Sequence, residues 1–181
     1  MCKKVENTKR IYFKNNIDMI RKKILREHEF YIYKYQKLLR KEEQSNNLFL
    51  KAFFRRRKNI LGAKLGIYIP ENVFEKELHI WHYGSIIVNQ GSKVGKNCIL
   101  HGMNCIGNNG INNVCPVIGN NVDIGIGAKI IGNVYIADGV KIGSGAIVVN
   151  SCYEKNATMV GIPARIITKV KNGMDESYAS K

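Results

Sequence analysis

From Val94 onward an aliphatic residue returns at every sixth position: Val94, Leu100, Ile106, Ile118, Ile124, Ile130, Ile136, Ile142 and Val148. Only Asn112 breaks the series. The next residue is small at Gly95, Gly107, Gly119, Gly125, Ala137 and Gly143. Four residues after the aliphatic one comes a small or β-branched residue, as at Cys98, Val122, Ala128, Val134, Val140 and Ala146. A period of six matches neither a helix nor a simple alternating strand. It predicts a three-sided solenoid with eighteen residues per coil, each face sending one large and one small residue inward. Gly and Asn crowd the corners because sharp turns need a positive φ. Such a stack has about six coils and needs its ends covered.

Residues 110–117 (Gly-Ile-Asn-Asn-Val-Cys-Pro-Val) interrupt the repeat without losing its phase, which predicts an outward loop. Over 64–93 the six-residue rule is poor, although Ile67, Ile69, Val73 and Leu78 are apolar and Pro70 ends a first short strand. Upstream, 17–43 lacks Gly and Pro and reads as one helix capped by Asn16. Ser45-Asn46-Asn47 is a turn, and a second helix follows over about 48–60. The chain divides into a helical segment (1–60), a solenoid (61–168) and a tail (169–181).

Charge sharpens that division. The chain of 181 residues carries 29 Lys and Arg against 14 Asp and Glu, a formal +15. Residues 1–60 hold 18 basic and 6 acidic residues, so +12 of the excess sits in the helical segment. A basic segment attracts phosphates, whether on an anionic lipid surface or on a phosphorylated co-substrate. No groove-reading motif accompanies the charge, so nucleic acid is not an expected partner. No run is long and apolar enough to span a bilayer, and MCKKVENTKR lacks a secretory core. The five cysteines, Cys2, Cys98, Cys105, Cys115 and Cys152, form no C-x-x-C pair and read as reduced thiols of a cytoplasmic protein.

The histidines are His28, expected on the helical surface, and His79, His82 and His101 on or near the solenoid. The repeat resembles the hexapeptide acyltransferase family. That resemblance implies a mainly β fold: a left-handed parallel β-helix of hexapeptide repeats with an N-terminal α-helical segment. The metal-binding members carry a later pair of histidines five residues apart, which this chain lacks, so no metal is expected.

Leu78-His-Ile-Trp-His-Tyr-Gly-Ser-Ile-Ile-Val-Asn89 resembles the active-site coil of serine acetyltransferases and of sugar O-acetyltransferases. His82 falls on the family's catalytic histidine, without a gap to Gly107. A histidine suits this chemistry because an alcohol must lose its proton as it attacks a thioester. Asp123–Gly132, Ile142–Val149 and Val160–Ile166 resemble the acyl-CoA half of the family. This implies acetyl-CoA as co-substrate, with Gly127, Ala128, Ser144 and Gly145 along its arm and Arg165 near its phosphates. It also implies a homotrimer whose subunits share the groove.

The chain departs from serine acetyltransferases in three places, the first being that a basic segment of about 60 residues replaces their large N-terminal helical domain. Ile67 stands where an aspartate orients the histidine, and Val114 and Cys115 stand where an arginine and a second histidine bind serine. Leu65–Phe74, His82-Tyr83-Gly84 and Asn113–Pro116 instead resemble polysaccharide O-acetyltransferases, although Glu75-Lys76-Glu77 replaces their Gly-Pro-Gly turn. On these grounds the expected acceptor is a sugar hydroxyl in surface polysaccharide assembly, contacted by His101, Asn104 and Cys115. The alternatives are serine O-acetylation in cysteine biosynthesis and a non-catalytic scaffold. A lipid-linked acceptor would suit peripheral contact between the basic segment and an anionic membrane.

Overall fold

The computed structural model describes residues 3–167, with side chains from Thr8 onward. Cys2 and the tail expected over 169–181 lie outside the described residues. Four helices lead into fourteen short strands. The helices are α1 (Lys3–Tyr12), α2 (Asn16–Ile24), α3 (His28–Gln44) and α4 (Leu48–Leu65).

The strands wind into a triangular prism. Its first face is the sheet of β1 (Ile67–Tyr68), β3 (Ile86–Val88), β6 (Cys105–Gly107), β9 (Lys129–Ile131) and β12 (Ile147–Val148). The second holds β4 (Lys93–Val94), β7 (Val117–Ile118) and β10 (Tyr135–Ile136), extended by bridges at Phe74 and Cys152. The third holds β2 (His79–Ile80), β5 (Ile99–Leu100), β8 (Asp123–Ile124), β11 (Lys141–Ile142), β13 (Thr158–Gly161) and β14 (Ala164–Ile167). Neighbours pair in parallel, except that β14 returns antiparallel to β13. Every aliphatic residue of the six-residue series is buried, and Leu100, Ile124, Ile130, Ile136 and Val148 are fully buried. The strands complete five coils rather than about six, because Cys152 and β13 already belong to the last one.

Pairing also shows why the period failed before Val94. Ile80 is level with Leu100 and Val88 with Ile106. Eight residues therefore separate Ile80 from Val88 where six separate Leu100 from Ile106. The corner 81–85 is two residues longer than the one stacked on it, and Gly84 and Ser85 turn it with positive φ. The interruption likewise leaves the prism after β6 and rejoins it at Val117, within the stretch read as loop.

The helical segment departs further from expectation. The single helix over 17–43 is two helices, divided at Leu25–Glu27 with Arg26 in the left-handed region. Asn15, not Asn16, is the cap of α2, accepting from the Asp18 N–H at 2.8 Å. α1 was not anticipated, and α4 runs on to Leu65. The break has a packing cause. No residue of α2 is buried, whereas α3 buries Ile32, Tyr35, Gln36, Leu39 and Arg40 at helical spacing against the open end of the first coil.

That end is a row of backbone groups with no further coil to bond, and helical side chains bond them instead. The Tyr12 hydroxyl accepts from the Ile80 N–H at 2.8 Å and donates to the Ile80 carbonyl at 3.0 Å. Gln36 donates to the Leu78 carbonyl and to Tyr12. The Tyr35 hydroxyl accepts from the Ile69 N–H, and Lys58 donates to the Ile69 carbonyl. Arg40 donates to the carbonyls of Phe74 and Glu75. Arg40 also pairs with Glu43, and Lys58 with Glu42, each at 2.8 Å. Part of the basic excess is thus buried structure. Burial pushes the hydroxyls of Tyr12 and Tyr35 well above their ordinary pKa. Removing Arg40 strands a buried carboxylate and two carbonyls, so Arg40→Ala is expected to cost about 3–5 kcal/mol, measured by chemical denaturation.

Candidate active site

The corner joining the third face to the first carries most of the candidate residues. Starting from the helical end, successive coils contribute 81–85, 101–104, 125–128 and 143–146. Backbone bonds tie them in register: the Met103 N–H to the Gly84 carbonyl, the Gly127 N–H to the Gly102 carbonyl, and the Gly145 N–H to the Ile126 carbonyl. His82 is exposed at the head of this edge, lying directly against Gly102. Gly102 has φ +116°, and a Cβ there would lie 3.2–3.3 Å from the His82 backbone and Cβ, so this position favours glycine. Gly127 and Gly145 turn at φ +73° and +70°; a Cβ on Gly145 would meet open space and one on Gly127 only the Gly145 backbone at 3.8 Å, leaving the edge bare. By the ~4.8 Å strand spacing, the coils of His82 and Ser144 are roughly 14 Å apart.

Arg165 closes the far end. It is exposed on β14 opposite Val160, and Val160 packs against Gly143. A cation, a strip of bare backbone and an exposed histidine therefore follow one another along one edge. This fits a long co-substrate with phosphates at one end and a thioester at the other. Ala128, expected along the co-substrate arm, is fully buried, backbone included, and presents no surface to this edge.

Two expected acceptor contacts are corrected. Asn104 is fully buried inside the corner, accepting from the Gly102 N–H at 2.9 Å and donating to the Gly125 carbonyl at 2.8 Å. Its amide braces successive coils. Cys115 is buried beside Gly91, at the corner between the first and second faces, away from His82. His101 lies one coil beyond the His82 coil, and its Nε2 is 2.8 Å from Asp123 Oδ1. Trp81 tilts between His79 and His101, with ring centroids 4.5 and 6.3 Å away, and Tyr12 meets His79 edge-on. Burial, then the nearby His101, lowers the His79 pKa.

His28 and Asp123 were not recognised as part of this site. His28 lies at the surface as expected, its side chain 43% exposed, and its ring stacks on His82 at 5.5 Å between centroids and 27° between planes. No sequence signal pointed to it. Asp123 could have been found by stepping one coil from Ile99 and counting the loop's extra residues. Ile67 is buried in the core, so no carboxylate reaches His82 from that position. Among the described residues no group of three or more His, Cys, Asp and Glu side chains is placed to hold a metal, and no helix is long and apolar enough to cross a membrane.

No family model matches the chain. Serine acetyltransferase from Buchnera aphidicola subsp. Schizaphis graminum is 38% identical over 114 residues, which are 62% of this chain and 37% of that protein. Serine acetyltransferase from Synechococcus elongatus is 32% identical over 108 residues, 59% of this chain and 40% of that protein. The chain thus spans well under half the length of these curated relatives. Among solved structures, serine acetyltransferase from Brucella abortus strain S19 superposes with TM-score 0.63 at 25% identity, over 77% of this chain and 56% of that one. The Neisseria gonorrhoeae enzyme shares the fold at TM-score 0.70 and 20% identity, over 99% of this chain and 70% of that one, helical segment included.

The prism is accordingly a left-handed parallel β-helix. Over its solenoid the chain is similar to members of the hexapeptide-repeat acyltransferase family. The particular relatives it matches are serine acetyltransferases, and this overturns the expected sugar acceptor in favour of the alternative, serine. The physical reason lies in where the departures sit. Val114 and Cys115 belong to a loop at another corner of the protomer, away from His82, so their identity does not decide the chemistry there.

Proposed function

We propose that the protein is an acetyl-CoA-dependent serine O-acetyltransferase with His82 as general base. The observation that carries this is the exposed His82 at the head of a bare backbone edge ending in Arg165, in a chain 32–38% identical to serine acetyltransferases. His82 takes the proton of the serine hydroxyl as its oxygen attacks the thioester carbonyl. The C–O bond forms, the C–S bond breaks, and His82 returns the proton to the departing thiolate, leaving O-acetylserine and CoA. Arg165 would pair with the CoA phosphates, and the backbone of Gly127, Ser144 and Gly145 would lie along its arm.

Purified protein given acetyl-CoA and L-serine is expected to release CoA thiol and O-acetylserine. His82→Ala should lower kcat by ~10²–10⁴-fold with an unchanged melting temperature. No transfer to serine, or near-normal turnover in the folded variant, would defeat this activity.

The assembly belongs to the same proposal. His82 and the glycine edge lie open on a single protomer, and a neighbouring copy would supply the second wall of a groove. Tyr68 and Ile87 on the first face and Val149 beside it are exposed apolar residues that suit such a contact. A closed three-fold ring satisfies all three faces of this kind at once. Light scattering is expected to give three times 20.5 kDa; a fully active monomer would refute the shared groove.

Peripheral membrane contact is favoured by one feature. Ile17, Ile20 and Ile24 form an exposed stripe along α2, beside Lys23 and Arg26. An apolar stripe flanked by cations suits an anionic bilayer surface. Two copies of a segment at +12 would repel each other, which disfavours self-association through this stripe. Vesicles containing phosphatidylglycerol are expected to co-sediment the protein in a salt-sensitive way, and phosphatidylcholine vesicles are not. Ile20→Asp combined with Ile24→Asp should abolish the binding, and equal binding by that variant would exclude the stripe.

A further inference from the structure

The helical segment reaches the candidate base directly. His28 is the first residue of α3 and sits where the chain turns between α2 and α3. Its ring lies nearly parallel to that of His82. His28 Nδ1 lies 3.4 Å from Glu29 Oε2, an ion pair when the ring is protonated. Glu29 Oε1 takes a 3.2 Å contact from Lys22 of α2, and Lys22 also donates to the Tyr12 carbonyl. Burial alone would raise the Glu29 carboxyl, but its own backbone N–H, Lys22 and His28 outweigh it and hold its pKa below the ordinary value. A carboxylate fixed by Lys22 thus lies beside one imidazole, and that imidazole stacks on the other.

His82 needs such support. It stands in the elongated corner, exposed, with buried Ile67 where a relative's orienting aspartate would be. A base on a solvent-facing corner samples several rotamers, and only some direct a ring nitrogen at the acceptor hydroxyl. A flat ring stacked on one face removes part of that freedom without occupying a ring nitrogen.

We infer that His28 is a positioning residue for the proposed reaction, its imidazole stacking on His82 to hold the general base in its productive orientation. This rests on the proposed role of His82. The inference assigns the helical segment a part in turnover as well as in folding.

The test uses the full chain with acetyl-CoA and L-serine, comparing His28→Ala and His28→Phe with wild type and His82→Ala. Loss of one stacked ring pair predicts a kcat about 3–10-fold lower in His28→Ala. The KM for acetyl-CoA and the melting temperature should be unchanged. His28→Phe keeps a flat ring and should recover most of the lost kcat. Wild-type kcat in His28→Ala would overturn the inference. So would a His28→Phe enzyme as slow as His28→Ala, or a loss confined to KM or to stability. An active His82→Ala enzyme would instead defeat the proposed base, so the two failures are distinguishable.

Discussion

A solenoid of parallel strands has an end, and the end is a row of unsatisfied amides and carbonyls. In this protein α1, α3 and α4 are organised around that row. Tyr12, Tyr35, Gln36, Arg40 and Lys58 come from three helices, and each places a polar group on backbone of the first coil. Leaving any of these backbone groups buried and unpaired would cost about 1–3 kcal/mol. At the other end the closing element is backbone, since β14 turns back on β13.

Covering the first coil has a chemical consequence. The coil being capped is the one that carries His82, so the side chains that satisfy its backbone arrive together with groups that surround the histidine. Tyr12 bonds the backbone of Ile80 and meets His79 edge-on. The turn that directs α3 across the coil end brings His28 over His82. The corner here is longer than its neighbour, so it projects where the stacked corners beyond it are tight and glycine-rich. Departure from the repeat and candidate chemistry coincide, as expected where a regular scaffold yields local regularity to a site.

The acceptor is where reasoning from single substitutions went astray. The resemblance puts Val114 and Cys115 where serine acetyltransferases carry a serine-binding arginine and histidine. The prism has three corners, and these residues belong to a different one from His82. Relatives matched across the chain are named for serine, and that pattern outweighs two residues on one loop.

His82, Gly127, Gly145 and Arg165 were named through resemblance to a family, whereas the sequence by itself determined the solenoid and its inward residues. The physical reason is that these depend on a short period: each coil sees only its neighbours, so spacing along the chain is spacing in space. Tertiary structure alone decided the rest. Asn104 became a buried brace, because inward or outward facing at a corner depends on the turn as built. Asp123 met His101 only because the loop's extra residues restore the stacking one coil later. The break at Leu25–Glu27 and the stack of His28 on His82 carry no mark in the local pattern. They arise from docking a helical segment on an open sheet end, a contact between residues far apart in the chain, which no periodicity records.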